Sequence, residues 1–132
     1  MSIVIDSSVL VAALVDSGPH GDWAERVLAS GLLQAPELVL AETTNIFRRL
    51  ERAKVVTTSE ANAVQDDLMQ LHIELFSYEP FAGRIWELRH NVTSYDAWYV
   101  AVAEALNLPL ATLDESLTKS NGVTCRFLTP GI

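Results

Sequence analysis

Tyr95-Asp96-Ala97-Trp98-Tyr99-Val100-Ala101-Val102-Ala103-Glu104-Ala105-Leu106-Asn107-Leu108-Pro109-Leu110-Ala111-Thr112-Leu113-Asp114 holds a helix, a stop and a strand in one run. Tyr95 to Leu106 is strongly helical, Asn107-Leu108-Pro109 halts it, and Leu110 to Leu113 is a short aliphatic strand ending on an acid. Read outward, the same alternation recurs. Strands are expected at Ser2 to Ile5, around Leu33 to Ala35, at Ile73 to Phe76, at Leu110 to Leu113 and at Thr124 to Phe127. Helices are expected at Ser8 to Leu14, Asp22 to Ser30, Glu37 to Ala53, Ser59 to Leu71, Pro80 to Arg89 and Tyr95 to Leu106, with a short one from Glu115. Pro36 and Pro80 suit a first helical turn, where a missing N–H is harmless. Short strands alternating with longer helices predict an α/β domain around a mainly parallel sheet of four to five strands.

The 132 residues suffice for one domain with a real core and are too few for two, so residues 1–132 are expected to fold as one unit. With 49% hydrophobic and 20% charged residues the composition is that of a globular protein. The apolar run Ile3 to Val15 is broken by Asp6 and preceded by no base, unlike a signal peptide, and no stretch is long and uncharged enough for a membrane. A cytoplasmic location is the expectation. The single cysteine, Cys125, excludes an internal disulfide and reads as a small buried hydrophobe. His20, His72 and His90 lack ligand spacing and read as surface or loop residues. Trp23, Trp86 and Trp98 read as core or interface, as do Tyr95 and Tyr99.

A formal charge of −8 argues against a broad basic surface for nucleic acid. From Met1 to Phe47 six acids face one base, a net of −5; in the next seven residues Arg48, Arg49, Arg52 and Lys54 against Glu51 give +3. Those cations also complement a helix C-terminus, and the two roles are compatible.

Four acids carry the functional reading. Asp6 ends Ile3-Val4-Ile5 and Asp114 ends Leu110-Ala111-Thr112-Leu113, at the carboxyl ends of strands where open α/β sheets bind ligands. Glu42 and Asp96 lie near the starts of two helices. Taken singly, Asp6 and Asp114 are ordinary N-caps, Thr93 and Asp96 have capping-box spacing, and Glu42 is an exposed helix residue. Jointly, apolar neighbours such as Val4, Ile5, Leu40, Ala41, Ala97 and Leu113 draw all four towards the core, with too few bases nearby to pair them. A divalent cation supplies the missing charge. Asn45 and Arg49 share the helix face of Glu42 and are candidates for holding phosphate, with Arg48 and Arg52 nearby.

Ile3-Val4-Ile5-Asp6-Ser7-Ser8, Ala35-Pro36-Glu37-Leu38-Val39-Leu40-Ala41-Glu42-Thr43-Thr44-Asn45, Ser94-Tyr95-Asp96-Ala97-Trp98-Tyr99 and Leu110-Ala111-Thr112-Leu113-Asp114-Glu115-Ser116-Leu117 together resemble the PIN-domain nucleases of the VapC toxin type. The resemblance runs over nearly the whole chain. It implies a three-layer α/β/α domain and a metal-dependent endoribonuclease acting as the toxin of a toxin-antitoxin pair. It implies that Asp6, Glu42, Asp96 and Asp114 hold Mg2+ or Mn2+, directly or through water, with the Ser8 and Thr112 hydroxyls orienting them. It also implies a homodimer, a VapB-type antitoxin, and promoter DNA bound only through that antitoxin. A further acid common near the last strand of the family has only Glu115 to supply it here.

Oxygen-ligated divalent metal suits phosphodiester hydrolysis, because it acidifies a bound water and neutralises charge on the phosphate. Two PIN-like alternatives stay open: RNA processing without toxicity, and a non-catalytic binding module. A phosphoryl-aspartate enzyme lacks its second aspartate, since Ser8 stands there. A receiver domain lacks the acidic pair before Asp6. The apolar N-terminal helices, with Val9, Leu10, Leu14, Trp23 and Val27, are a candidate groove for an antitoxin helix.

Overall fold

In a computed structural model, which describes residues 1–131, the elements run β1 (Ser2–Ile5), α1 (Ser7–Val15), α2 (Pro19–Ala29), β2 (Leu32–Pro36), α3 (Leu38–Arg52), α4 (Thr58–Gln70), β3 (Ile73–Phe76), a 3-10 turn (Glu79–Phe81), α5 (Ala82–Glu87), α6 (Ser94–Leu106), β4 (Leu110–Ala111), α7 (Glu115–Thr118) and β5 (Phe127–Leu128). The strands form one sheet in the order β3-β2-β1-β4-β5, every neighbouring pair parallel. Helices flank it in two packed groups, α1 to α4 and α5 with α6, and α6 lies against β1, β2 and β4. This is the α/β architecture expected from the alternating sequence.

Parallel strands covered on both faces need continuous apolar runs, and Ile3, Val4, Ile5, Leu110 and Ala111 are all fully buried. Val9 and Leu10 of α1, Val39 of α3, and Val100 and Val102 of α6 complete the core around them. Val9, Leu10 and Val27 therefore belong to the core; only Leu14 and Trp23 of that set stay partly exposed, and Leu14 lines a shallow groove of about 520 Å³ with Ala13, Glu25, Leu28, Ala29 and Asp67. Trp86, expected in the core or an interface, is 66% exposed and carries the Arg89 guanidinium over its ring at 4.2 Å.

Several boundaries differ from the sequence reading for local reasons. Pro19, His20 and Gly21 form the first turn of α2; glycine is required because a Cβ there would meet the Asp16 carbonyl oxygen at 1.9 Å. Pro36 is the last residue of β2 rather than a helical one, and the Glu37 N–H makes the next bond to the Phe76 carbonyl, at 2.9 Å. The Pro80 segment starts as a 3-10 turn, and α5 closes at Glu87 because the Leu88 N–H is shared between the Arg84 and Ile85 carbonyls. α6 ends on Asn107 in the left-handed conformation, φ 54°, which asparagine tolerates.

β5 starts at Phe127 instead of Thr124 because Glu104 captures the segment before it. Its carboxylate accepts from the Thr124 N–H and hydroxyl, both at 2.8 Å, and from Arg84 Nε at 2.7 Å. Burial pushes the Glu104 carboxyl up, and these donors outweigh it, leaving the group below its usual range. Glu104→Ala frees the Thr124 strap and leaves the partly exposed Arg84 guanidinium with the Gly122 carbonyl, at 2.6 Å, and Glu87 alone. It is expected to lower stability by about 1–2 kcal/mol, read as the urea midpoint with an unchanged slope.

Candidate metal centre

The sheet reverses its winding between β1 and β4. The chain moves outward from β1 to β2 and β3, then returns to set β4 on the other flank of β1. Ligands in open α/β sheets bind at the carboxyl ends beside such a reversal. Asp6 directly follows β1, and Asp114 stands just beyond β4.

Asp6 is 8% exposed. One carboxylate oxygen accepts from the Ser8 hydroxyl at 2.5 Å and from the Val9 N–H at 3.2 Å, which caps α1; the other accepts from the Thr112 hydroxyl. Both hydroxyls also accept from the chain after β4. Ser8 Oγ takes the Leu113 N–H at 3.1 Å, and Thr112 Oγ1 takes the Asp114 N–H at 3.0 Å. This relay explains why the pairing does not run on to Leu113: the Thr112 N–H still reaches the Leu128 carbonyl at 3.1 Å, but the Leu113 and Asp114 N–H groups serve side chains of the site. Burial pushes the Asp6 carboxyl up to about 6, with the Asp96 charge adding to the effect, despite three donors acting the other way.

The other acids sit at graded depths. Glu42, half-buried on α3, accepts from the Tyr99 hydroxyl at 2.5 Å. Burial raises its carboxyl and Asp96 adds, while the Tyr99 bond opposes them. Asp96 lies in the first turn of α6, where Thr93 Oγ1 accepts its N–H at 3.2 Å. Its carboxyl is raised by burial and then by Asp114, against the Thr93 hydroxyl. Asp114 is exposed, unlike the inward position expected for it, because it caps α7 through bonds from the Ser116 and Leu117 N–H groups. Asp96 thus stands electrostatically between Asp6, Glu42 and Asp114.

Among the described residues no lysine, arginine or histidine pairs with any of these carboxylates; the ion pairs are those of Arg84 with Glu87 and Glu104. Uncompensated, partly buried negative charge with oxygen-only donors fits a hard divalent cation. No three histidine, cysteine, aspartate or glutamate side chains among the described residues are close enough to ligate one ion together.

Asn45 and Arg49 are exposed on α3. Asn45 lies with Arg48, Leu40, Ala41, Thr44 and Met69 along a shallow groove of about 460 Å³ that includes none of the four acids. Tyr99, read from sequence as a core aromatic, is 2% exposed and is also the hydrogen-bond donor to Glu42; burial, then Glu42 itself, hold its phenol well above the usual range. Its place one helical turn after Asp96 was the available signal. His20, read as an ordinary loop residue, lines a pocket with Asp114 and Glu115.

Comparison with known proteins gives a consistent picture. The PIN domain family model matches residues 3–122. Ribonuclease VapC1 of Mycobacterium tuberculosis is 35% identical over 125 residues, 94% of each chain. Ribonuclease VapC9 of the same organism is 33% identical over 123 residues, 93% of this chain and 94% of that one. The solved structure of VapBC2 from Rickettsia felis, bound to a DNA fragment from its promoter, superposes with a TM-score of 0.68 at 15% identity, over 98% of each chain.

Proposed function

This chain belongs to the PIN-domain family, among the VapC ribonucleases, and on that premise we propose that it hydrolyses phosphodiester bonds in RNA at a divalent cation held by Asp6, Glu42, Asp96 and Asp114. The observation that carries the reading is the absence, among the described residues, of any base paired with these coupled carboxylates. Mg2+ is the proposed ion, with Mn2+ able to replace it. When bound, such an ion supplies an activated water and neutralises phosphate charge.

The chain's own contributions are positional. Ser8 and Thr112 fix Asp6 and tie it to the loop carrying Asp114, and Tyr99 fixes Glu42. A carboxylate at the site accepts the proton of the attacking water. The exposed Arg48, Arg49, Arg52 and Lys54 at the end of α3 grip phosphate, Arg49 foremost with Asn45 beside it, so binding falls steeply with salt. The protein acts as a single domain in the cytoplasm, as the dimeric toxin of a pair whose antitoxin, encoded alongside, contacts promoter DNA. The R. felis VapBC2 complex supports that partner. No helix among the described residues is long and apolar enough to cross a membrane.

The test is cleavage of structured RNA by purified protein. Activity is expected in Mg2+, lost in EDTA and restored by Mg2+ or Mn2+; cleavage that survives EDTA would sink the metal reading. Tyr99→Phe removes only the hydroxyl bond to Glu42 and should lower kcat/KM by roughly tenfold, the usual size of a lost support behind a metal-binding group, with the melting temperature little changed. An effect confined to stability would make Tyr99 a packing residue alone.

A further inference from the structure

A pocket of about 400 Å³ opens beside Asp114, lined by His20, Leu113, Asp114, Glu115, Thr129 and Pro130. It draws on three separate parts of the chain: the first turn of α2, the stretch from Leu113 after β4 into the start of α7, and the segment after β5. Asp114 is shared with the acid cluster, so whatever fills the pocket is the immediate neighbour of the group reacting there.

The lining selects the occupant. Asp114 Oδ1 is already used by the Ser116 hydroxyl and by the Ser116 and Leu117 N–H groups. The Glu115 carboxylate and the His20 ring make no side-chain hydrogen bond or ion pair among the described residues, and both border the pocket. Two acids on the wall repel a phosphate. The Leu113 and Pro130 side chains offer apolar surface, and the His20 ring offers a flat one. Apolar walls with a few converging polar groups describe a small-molecule pocket, and the volume admits a nucleobase with its sugar. An unstacked base of single-stranded RNA meets these conditions, read along its edge and stacked on a ring.

We propose that this pocket holds the base next to the scissile phosphate and that Glu115 makes it selective for guanine. The inference rests on the ribonuclease reading above. A carboxylate only accepts hydrogen bonds, and through two oxygens. Guanine alone among the four bases presents two adjacent donors, N1–H and the N2 amine, to match them. Adenine and cytosine present one amine, and uracil one imide N–H. His20 stacks on the base and holds it without distinguishing its identity.

The experiment measures kcat/KM on a set of short RNAs that differ only in the base at each position flanking the cleaved bond, in Mg2+. Wild type is expected to prefer guanine at one such position by at least about tenfold over adenine, with inosine, which lacks the N2 amine, falling between. Glu115→Gln presents one acceptor and one donor, which match adenine N6 and N1, so the guanine-to-adenine ratio should fall below one. His20→Ala should lower all four substrates by roughly tenfold and leave their ratios intact. Loss of activity in Glu115→Gln equally for all bases would overturn the proposal in favour of a metal or proton-transfer role. An unchanged base preference in that variant would overturn it outright. Metal-dependent cleavage with no base preference would refute this pocket while sparing the ribonuclease reading; no cleavage of any RNA would refute both.

Discussion

Asp96→Asn is expected to lower kcat/KM for RNA cleavage by about a thousandfold, the size associated with losing one preorganised group that stabilises charge at a reacting centre. The reason is its position between the other three acids. Asp96 raises the carboxyls of Asp6 and Glu42, and is itself raised by Asp114. Removing its charge weakens the attraction for a cation at the point where all the contributions meet. The fold should be spared, because the cap at the start of α6 uses the Thr93 hydroxyl and the backbone N–H of residue 96, which asparagine retains. Local repulsion also falls, so the melting temperature of metal-free protein should stay level or rise. A turnover assay, a melting curve and a Mn2+ titration on the same preparation separate the outcomes. Cleavage within a few fold of wild type would remove Asp96 from the chemistry. A large drop in melting temperature would make it a structural residue.

The reach of the sequence can be judged from such residues. The end of β1 was legible because a short apolar run closed by an acid has few other readings, and β3 also has the bounds its residues suggest. The parallel sheet followed from helices placed between strands. Less legible were boundaries set by side chains from distant parts of the chain. β4 is shortened by the Ser8 and Thr112 hydroxyls, and β5 by Glu104, from 105 and 20 residues away in the case of the Leu113 and Thr124 bonds. Depth was misread for the same reason. Apolar neighbours suggested that Asp114 turns inward, but its three bonds to the start of α7 keep it at the surface. Periodicity placed Glu42, Asn45 and Arg49 on one face of α3, yet what each faces depends on α4 and α6, which pattern along one helix does not report. The Tyr99 bond to Glu42 spans 57 residues and has no local signature beyond spacing from Asp96.

Asp6→Asn is expected to stabilise the metal-free protein above pH 7 while abolishing cleavage, and the opposite signs distinguish a metal-binding carboxylate from a structural cap. The folded-state value near 6 lies above the usual 3.8, so the native state holds the proton more tightly than the unfolded chain does. The resulting stabilisation is complete below about pH 3.8 and is lost as pH rises through about 6. Above that, ionised Asp6 opposes folding by up to about 3 kcal/mol, from roughly two units at 1.36 kcal/mol each. Asparagine stays neutral throughout. It keeps an acceptor for Ser8 and the Val9 N–H but turns an amide NH2 towards Thr112, whose hydroxyl then loses its acceptor, so a net gain of about 1–2 kcal/mol at pH 8 is the expectation. Near pH 4 the advantage should vanish. Adding Mn2+ at pH 8 should reverse the order, since an ion at a hundred times its dissociation constant stabilises wild type by about 2.7 kcal/mol and the variant far less. Chemical denaturation in EDTA at pH 4 and 8, then with Mn2+, reads all three comparisons. A variant less stable than wild type in EDTA at pH 8, with an equal response to Mn2+, would show that Asp6 serves only to cap α1. The predicted crossover would instead mean that the apo fold carries unrelieved charge at the end of β1, held there by the core strands so that a cation finds its ligands already in place.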